Sequence, residues 1–175
     1  TTLMVILRTG DHIVASSSLY GGTYNLLANT LPRFGITTTF VDPDNPNEFT
    51  KAVKSNTRVF FAESLGNPKL DVIDLKSISD ASKKAKVPFI VDNTVASPAL
   101  LNPIEHGANI VIHSLTKYLT GNGTSIGGVI IDAGTFDWAN GNFPEFTEPN
   151  PSYHGLNYHE ALGNIAFIAK VRIEG

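Results

Sequence analysis

Six short apolar runs divide the chain at regular intervals and constrain its fold more than any other feature of the sequence. Most are continuous rather than alternating in polarity, which is typical of strands buried on both faces of a parallel sheet. The predicted strands are Ile13–Ser17, Thr37–Val41, Arg58–Glu63, Pro88–Asp92, Asn109–Ser114 and Gly128–Asp132. The stretches between them predict helices at roughly Gly22–Arg33, Asn47–Val53, Asp74–Lys86 and Pro98–His106. This alternation predicts an α/β fold with a doubly wound, mostly parallel sheet and helices on both faces.

Three segments fall outside this alternation. The chain opens on an apolar stretch, Thr1–Leu7, that is predicted to be helical, and it closes on another, Ile165–Val171. We therefore expect residues 1–175 to be the central part of a larger domain, with further sequence on both sides. The segment 134–151 is rich in Gly, Pro, Asn and aromatic residues and is predicted to be a long ordered loop.

Composition removes several classes of function. The formal net charge is −3 and no block of Lys or Arg occurs, which argues against a nucleic-acid partner. Apolar runs such as Val87–Val91 are too short to cross a membrane. The absence of cysteine excludes disulfides and thiolate metal sites. His154 and His159 lack a third ligand at a defined spacing, so we expect no metal site. No secretory signal is recognisable, and the cytoplasm is the expected compartment.

Polar side chains collect at the carboxyl ends of the predicted strands, where sheets of this kind bind ligands. Asp92 ends one strand, and Lys117 follows the next. A carboxylate and an amine on neighbouring strand ends are what a pyridoxal phosphate site needs. The amine binds the cofactor aldehyde, and the carboxylate keeps the pyridine nitrogen protonated so that the ring accepts electrons. Ser114 and Thr116 offer hydroxyls to the phosphate. The alternative for Lys117 is a solvated surface amine.

Four motifs carry a resemblance to the transsulfuration (Cys/Met metabolism) family of fold-type I pyridoxal-phosphate enzymes. They are Ser18–Tyr24, Glu63–Pro68, Val91–Thr94 and Ser114–Leu119, and they match that family in order and spacing. The resemblance covers essentially all 175 residues. It implies the cofactor-binding large domain of that fold. It also implies that a Gly-rich phosphate turn and a C-terminal small domain lie outside this chain.

The resemblance also implies roles for individual residues. Lys117 would bind the cofactor and move protons, which requires a neutral amine and therefore burial and nearby positive charge. Tyr20 would stack on the pyridine ring and act as a base on the incoming amine. The remaining cofactor contacts would be Asp92 at the pyridine nitrogen, Asn67 at the ring hydroxyl, Thr94 beneath the ring, and Ser114 and Thr116 at the phosphate.

Local structure offers an alternative for each of these cofactor contacts. Asp92, Ser114 and Thr116 are also residue types that cap helices. Asn67 also suits the turn before Pro68. Tyr20 and Thr94 also suit purely structural positions beside turns. Glu63 receives no catalytic duty.

Within the family, the segment Gly121–Gly128 with Phe136–Trp138 and Phe143–Phe146 resembles the branch that converts O-acetylhomoserine and sulfide into homocysteine and acetate. Cystathionine γ-synthases and the γ-lyases that act on methionine or cystathionine are the alternatives within the family. A catalytically inactive scaffold domain is the alternative outside it.

The sequence offers little positive charge for a cofactor phosphate. Lys117 is the one basic residue at the predicted strand ends, whereas Arg8, Arg33 and Arg58 are predicted to lie on helices or at a strand start. We therefore expect the positive charge to come from outside these 175 residues, and the family resemblance implies that a second subunit supplies it in a homo-oligomer, either a dimer or a tetramer.

Overall fold

Six strands in a computed structural model of residues 1–175 form one sheet. They are β1 (His12–Ser16), β2 (Thr37–Val41), β3 (Thr57–Glu63), β4 (Phe89–Asp92), β5 (Ile110–Ser114) and β6 (Gly128–Asp132). All six predicted strands are confirmed, and β2 and β6 have the predicted bounds. β3, β4 and β5 differ by one residue at the start, and β1 is shifted by one residue at both ends.

The order of the strands creates a crevice at one edge of the sheet. The order is β2-β1-β3-β4-β5-β6, with β1 to β5 parallel and β6 antiparallel to β5. Strand order reverses at β1 and β3, and the connections after these two strands leave in opposite directions. A doubly wound sheet binds its ligand outside the carboxyl ends of the strands at such a switch point.

Hydrophobic clusters cover both faces of the sheet, which confirms the doubly wound arrangement. Alternate residues of each strand enter opposite clusters, as the period of a strand requires. Ile13, Phe61 and Ile90 join one cluster, whereas Val14 and Phe60 join the other. Burial on both faces explains why the strands read as continuous apolar runs.

The α-helices are α1 (Gly21–Asn25), α2 (Asn47–Lys51), α3 (Leu75–Ala85), α4 (Ser97–Leu100), α5 (Pro144–Thr147), α6 (Tyr158–Leu162) and α7 (Ala166–Glu174). Shorter turns of 3₁₀-helix lie at Leu31–Phe34, Pro103–His106, Pro151–Tyr153 and Gly163–Ile165, and π-helical turns at Leu26–Thr30 and Leu115–Leu119. The best predicted helix is α3, whose Asp74 side chain accepts the N–H of Ser77 at 3.0 Å and caps its start.

Three helix predictions need correction. The single helix expected at Pro98–His106 is wrong: Leu101 and Asn102 are extended, and Pro103 starts a separate 3₁₀ turn. The helix expected at Gly22–Arg33 passes from α to π to 3₁₀ geometry before Gly35 ends it. Residues 2–6 form consecutive turns rather than the expected helix.

The segment 134–151 is ordered, as predicted, but it is more than a loop. It contains α5 and contributes Trp138, Phe143 and Phe146 to the hydrophobic core. Phe136 packs edge-on against Trp138, with ring centroids 4.7 Å apart. This aromatic cluster lies on the sheet face that α7 also covers through Phe167. None of the helices has the length and hydropathy of a membrane span.

Candidate active site

A cavity of about 730 Å³ opens at the carboxyl ends of the strands, beside the switch point between β1 and β3. Its volume lies in the range of small-molecule sites. The cavity brings together all of the predicted site residues. Its lining includes Tyr20, Asn67, Asp92, Thr94, Ser114, Thr116 and Lys117. Residues that are far apart in the sequence line the same cavity because the parallel strands end at the same edge of the sheet.

Lys117 lies on the π-helical turn that follows β5, and the backbone of this turn departs from helical geometry at the lysine (φ −95°, ψ −126°). The turn is tied to the start of β6 at Gly127. The N–H of Leu115 donates to the Gly127 carbonyl at 2.9 Å, and the Thr116 hydroxyl accepts the Gly127 N–H at 3.1 Å. Lys117 is exposed, so the expected burial of its amine is not present in this chain. The amine is free to meet a ligand in the cavity.

Asp92 is held by a short hydrogen-bond relay between β4 and β5. Its Oδ1 accepts the Thr94 hydroxyl at 2.5 Å and the Thr94 N–H at 3.0 Å. The same Thr94 hydroxyl accepts the backbone N–H of Ser114 at 2.8 Å. The relay fixes one carboxylate oxygen of Asp92 and leaves Oδ2 without a hydrogen bond inside the chain. Oδ2 of Asp92 can therefore accept a hydrogen bond from a donor in the cavity.

Tyr20 lies at the end of the segment that connects β1 to α1, and its exposed side chain lines the cavity. Its backbone N–H donates to Oε1 of Glu63 at 2.6 Å. Burial raises the pKa of Glu63 to about 7, the hydrogen bond from Tyr20 opposes this shift, and Asp92 and Asp71 add to it. The turn that carries Tyr20 is therefore fastened to the end of β3.

Asn67 lies in the loop after β3, which Asp71 closes. The Ser18 hydroxyl donates to Oδ1 of Asp71 at 2.7 Å, and the Gly66 N–H donates to the Asp71 carbonyl at 2.9 Å. A methyl group on Gly66 would lie 2.1 Å from Oδ1 of Asp71 and 2.3 Å from the Ser18 hydroxyl. An added side chain would displace Asp71 or Ser18, so the contact that closes the loop around Asn67 requires glycine at this position.

Sequence reasoning missed two supports of this edge, Glu63 and Asn93. Asn93 is fully buried; its Oδ1 accepts the Ser64 hydroxyl at 2.6 Å, and its Nδ2 donates to the Leu101 carbonyl at 2.8 Å. The signal available in the sequence was a polar residue directly after a buried apolar run, at Glu63, Ser64 and Asn93. The Gly121–Gly127 segment precedes β6, as predicted, and Gly121, Asn122 and Gly123 also line the cavity.

The arrangement has a defined chemical capacity. It offers an amine for a carbonyl group, a carboxylate for a protonated ring nitrogen, an aromatic ring for stacking, and hydroxyls for an anion. These are the groups that hold pyridoxal phosphate, and the cavity is large enough for a cofactor of that size. Lys117 is the only cationic residue of the lining, whereas Glu63 and Asp92 are both acidic.

Comparison with known proteins agrees with this geometry. Residues 1–152 match the model of the family described as Cys/Met metabolism PLP-dependent enzyme. The chain is 56% identical over 181 residues to an O-acetyl-L-homoserine sulfhydrylase of Leptospira meyeri, covering 99% of this chain and 41% of that protein. It is 48% identical to a homocysteine synthase of Schizosaccharomyces pombe, covering 98% of this chain and 41% of that protein.

A solved structure gives the same picture. The crystal structure of an O-acetylhomoserine (thiol)-lyase from Campylobacter jejuni, which carries an N'-pyridoxyl-lysine-5'-monophosphate, superposes with a TM-score of 0.94. The two are 38% identical, and the match covers 99% of this chain and 43% of that one. The chain thus spans about two fifths of the length of the relatives it matches. With its sequence, its sheet and its cavity in agreement, the chain belongs to the Cys/Met metabolism family of pyridoxal-phosphate-dependent enzymes.

Proposed function

We propose that this chain carries the cofactor-binding centre of an enzyme that makes L-homocysteine and acetate from O-acetyl-L-homoserine and sulfide. The observation that carries the proposal is the single cavity that collects Lys117, Asp92 and Tyr20. The names of the matched sulfhydrylase and homocysteine synthase support the same reaction. We further propose that residues 1–175 are the central part of the cofactor-binding large domain.

Each predicted residue has a position that suits its proposed task. Asp92 would accept the ring N–H of pyridoxal phosphate through its free Oδ2, while Thr94 holds Oδ1. Tyr20 would stack on the ring, and Asn67 would bind the ring hydroxyl. The hydroxyls of Ser114 and Thr116 would bind the phosphate. The Thr116 hydroxyl already contacts Gly127, so it would share that contact with the phosphate.

The bound cofactor would supply an electron sink for carbanions next to the amino group. The chain's own contribution is proton transfer and positioning. Tyr20 would take a proton from the incoming substrate amine, and Lys117 would remove and return protons at Cα and Cβ. The C–O bond at Cγ then breaks to release acetate, and sulfide forms the new C–S bond at the same carbon. Atoms balance, because one sulfide replaces one acetate.

We also propose a homo-oligomer, a dimer or a tetramer, in which a second subunit adds cationic groups to the phosphate site. Lys117 is the only cation in the cavity lining and is assigned to the cofactor aldehyde. Arg8 and Arg58 lie within ion-pair distance of Glu145 and Asp11, away from the cavity. Tyr118 and Ile126 line the cavity and are largely exposed, which supports a covering partner. The cytoplasmic location stays a prediction.

The test is an assay of the full-length enzyme with O-acetylhomoserine, O-succinylhomoserine, cystathionine and methionine, each with and without sulfide, and of the two acylhomoserines with cysteine. We expect sulfide-dependent homocysteine from O-acetylhomoserine. Cleavage of methionine or cystathionine without sulfide-dependent homocysteine would assign the protein to the γ-lyases. Cystathionine formation with cysteine would assign it to the γ-synthases. No turnover and no cofactor binding would leave a scaffold domain.

A further inference from the structure

Glu63 is a buried carboxyl group at the cavity with no basic partner. It is the last residue of β3 and only 5% exposed. No lysine or arginine forms an ion pair with it in the described chain. Its one hydrogen bond is to the backbone N–H of Tyr20, at 2.6 Å. Burial of a carboxyl group without a cation costs free energy, and the hydrogen bond from Tyr20 is the one contact that offsets this cost.

The surroundings of Glu63 make its charge easy to change. Asp92 lies directly opposite it in the parallel pairing of β3 and β4, and Asp71 faces it from the loop after β3. Lys117 lies on the same cavity but is not among the charges that act on Glu63. Burial, the main cause, and these two acids raise the pKa of Glu63 to about 7, so the carboxyl group ionises near neutral pH.

The charge state of Glu63 decides how firmly Tyr20 is held. An ionised carboxylate accepts a backbone N–H more strongly than a neutral carboxyl group does. The side chain of Tyr20 is exposed, and the following α1 begins without a side-chain cap. The residues before it are held by the Ser18–Asp71 hydrogen bond and the buried side chain of Leu19, whereas Glu63 provides the one hydrogen bond that the Tyr20 N–H donates.

We propose that Glu63 is a positioning residue of this active site: the ionised Glu63 carboxylate holds the Tyr20 turn, and protonation of the carboxylate releases the turn. This inference rests on the proposed function, because Tyr20 matters for catalysis only if the cavity binds the cofactor. Holding Tyr20 would align its ring with the pyridine ring and its hydroxyl with the substrate amine. Glu63 itself need not contact either.

The direct test follows the Tyr20 backbone N–H in cofactor-free, full-length protein labelled with ¹⁵N-tyrosine. The signal lost in Tyr20→Phe identifies Tyr20. We expect its amide shift to titrate with a midpoint near pH 7, as Glu63 does. In Glu63→Gln, which keeps the size and an acceptor oxygen, the titration should vanish. Glu160→Gln, an exposed carboxyl change on α6, is the matched control and should titrate like the wild type.

A second measurement concerns the affinity for pyridoxal phosphate, read by fluorescence quenching between pH 6 and 8.5. Glu63→Ala should weaken binding by about tenfold, the order expected for loss of a hydrogen bond to a charged group. Glu63→Gln should retain more affinity than Glu63→Ala and lose the part of the pH dependence centred near 7. The pH profile separates this role from simple support of the fold.

Two results would overturn the proposal. One is a Tyr20 amide that does not titrate, or that titrates equally in Glu63→Gln. The other is cofactor affinity in both Glu63 variants equal to that of the wild type at every pH. The amide experiment needs no cofactor, so its outcome is independent of the O-acetylhomoserine assay that tests the proposed function.

Discussion

Phe146 provides a stringent test of the aromatic cluster in the segment 134–151. Its side chain is fully buried, and its ring stacks on Trp138 with centroids 4.2 Å apart and planes 27° apart. Trp138 is the only tryptophan among residues 1–175 and is 2% exposed. It also packs against Phe143 and Phe167, with ring centroids 5.2 and 5.4 Å away. Removal of the Phe146 ring therefore opens a cavity beside a built-in fluorescent probe.

The expected cost of Phe146→Ala is about 3–5 kcal/mol, the range for deletion of a buried aromatic ring from a core that cannot collapse around the space. The loss of the stacked pair accounts for about 0.5–1.5 kcal/mol of this. Phe146→Leu keeps most of the apolar volume, so we expect it to cost about 1–2 kcal/mol. The order Ala, Leu, wild type in rising free energy of unfolding follows directly.

The assay is urea unfolding of the purified protein, followed by Trp138 fluorescence and by far-ultraviolet circular dichroism. Coincident transitions would show two-state behaviour, and an unchanged m value would show that only stability has changed. The control is Phe34→Ala, since Phe34 is 53% exposed and its truncation should cost about 0.5 kcal/mol. Equal costs for the Phe146 and Phe34 variants would refute the packing argument, as would a Trp138 emission spectrum unchanged in native Phe146→Ala.

Three further predictions follow from the site and the sheet. Gly66→Ala should break the Ser18–Asp71 contact and weaken pyridoxal phosphate binding about tenfold in a fluorescence titration. The control is Gly21→Ala, whose added carbon meets no atom within 4 Å and which should bind the cofactor normally. Equal affinities of the two variants would argue against a rigid loop. Thr94→Val should remove the relay from Ser114 to Asp92 and lower cofactor affinity, also about tenfold, and unchanged affinity would show that Asp92 needs no such support. Burial and, to a smaller extent, the charge of Lys54 lower the pKa of His12 from 6.5 to about 4. The contribution of neutral His12 to stability is therefore fully present above pH 6.5 and is lost as the pH falls towards 4. The free energy of unfolding changes by at most about 1.4 kcal/mol per pH unit over this range. His12→Gln should flatten this pH dependence in thermal melts. Glu63 and Glu145, whose raised pKa values of about 7 have the opposite effect on stability over nearly the same pH range, contribute equally to both proteins and cancel in the comparison. Parallel curves of melting temperature against pH for the two proteins would refute the assignment to His12.

The central strands β1, β3, β4 and β5 were predictable because most of their residues are buried, whereas the edge strands β2 and β6 are only partly buried. Ile13, Phe60 and Ile90 face hydrophobic clusters whichever way they point, so an uninterrupted apolar run identifies the element without any knowledge of the fold. The helices were less predictable because short ones depend on tertiary packing. The apolar pattern at Pro98–His106 continues through two separate turns, and only Pro103 in the middle indicates the break.

The cavity residues were predictable for a related reason, since Asp92 and Lys117 stand at the ends of identifiable strands. Their supports were not, because each depends on a partner that is distant in sequence. Glu63 receives its hydrogen bond from Tyr20, and Asn93 receives one from Ser64, through pairings that only the assembled sheet defines. A polar residue at a strand end shows that a partner is required but does not identify it.

The tie between the lysine turn and Gly127 has a consequence for how this site tolerates change. Leu115 and Thr116 meet Gly127 by hydrogen bonds, so the residues between them form a surface loop whose two ends are clamped together beside Lys117. The loop also carries Ile126, which is 96% exposed, at the cavity mouth.

Lengthening a loop with clamped ends is cheap, since doubling its length costs only about 0.6 kcal/mol in closure entropy. Insertions near Thr124, which is not itself part of the cavity lining, would reshape the entrance without displacing the amine. Natural variation or directed evolution thus has a place to alter which molecules reach the cavity while Lys117 stays in position.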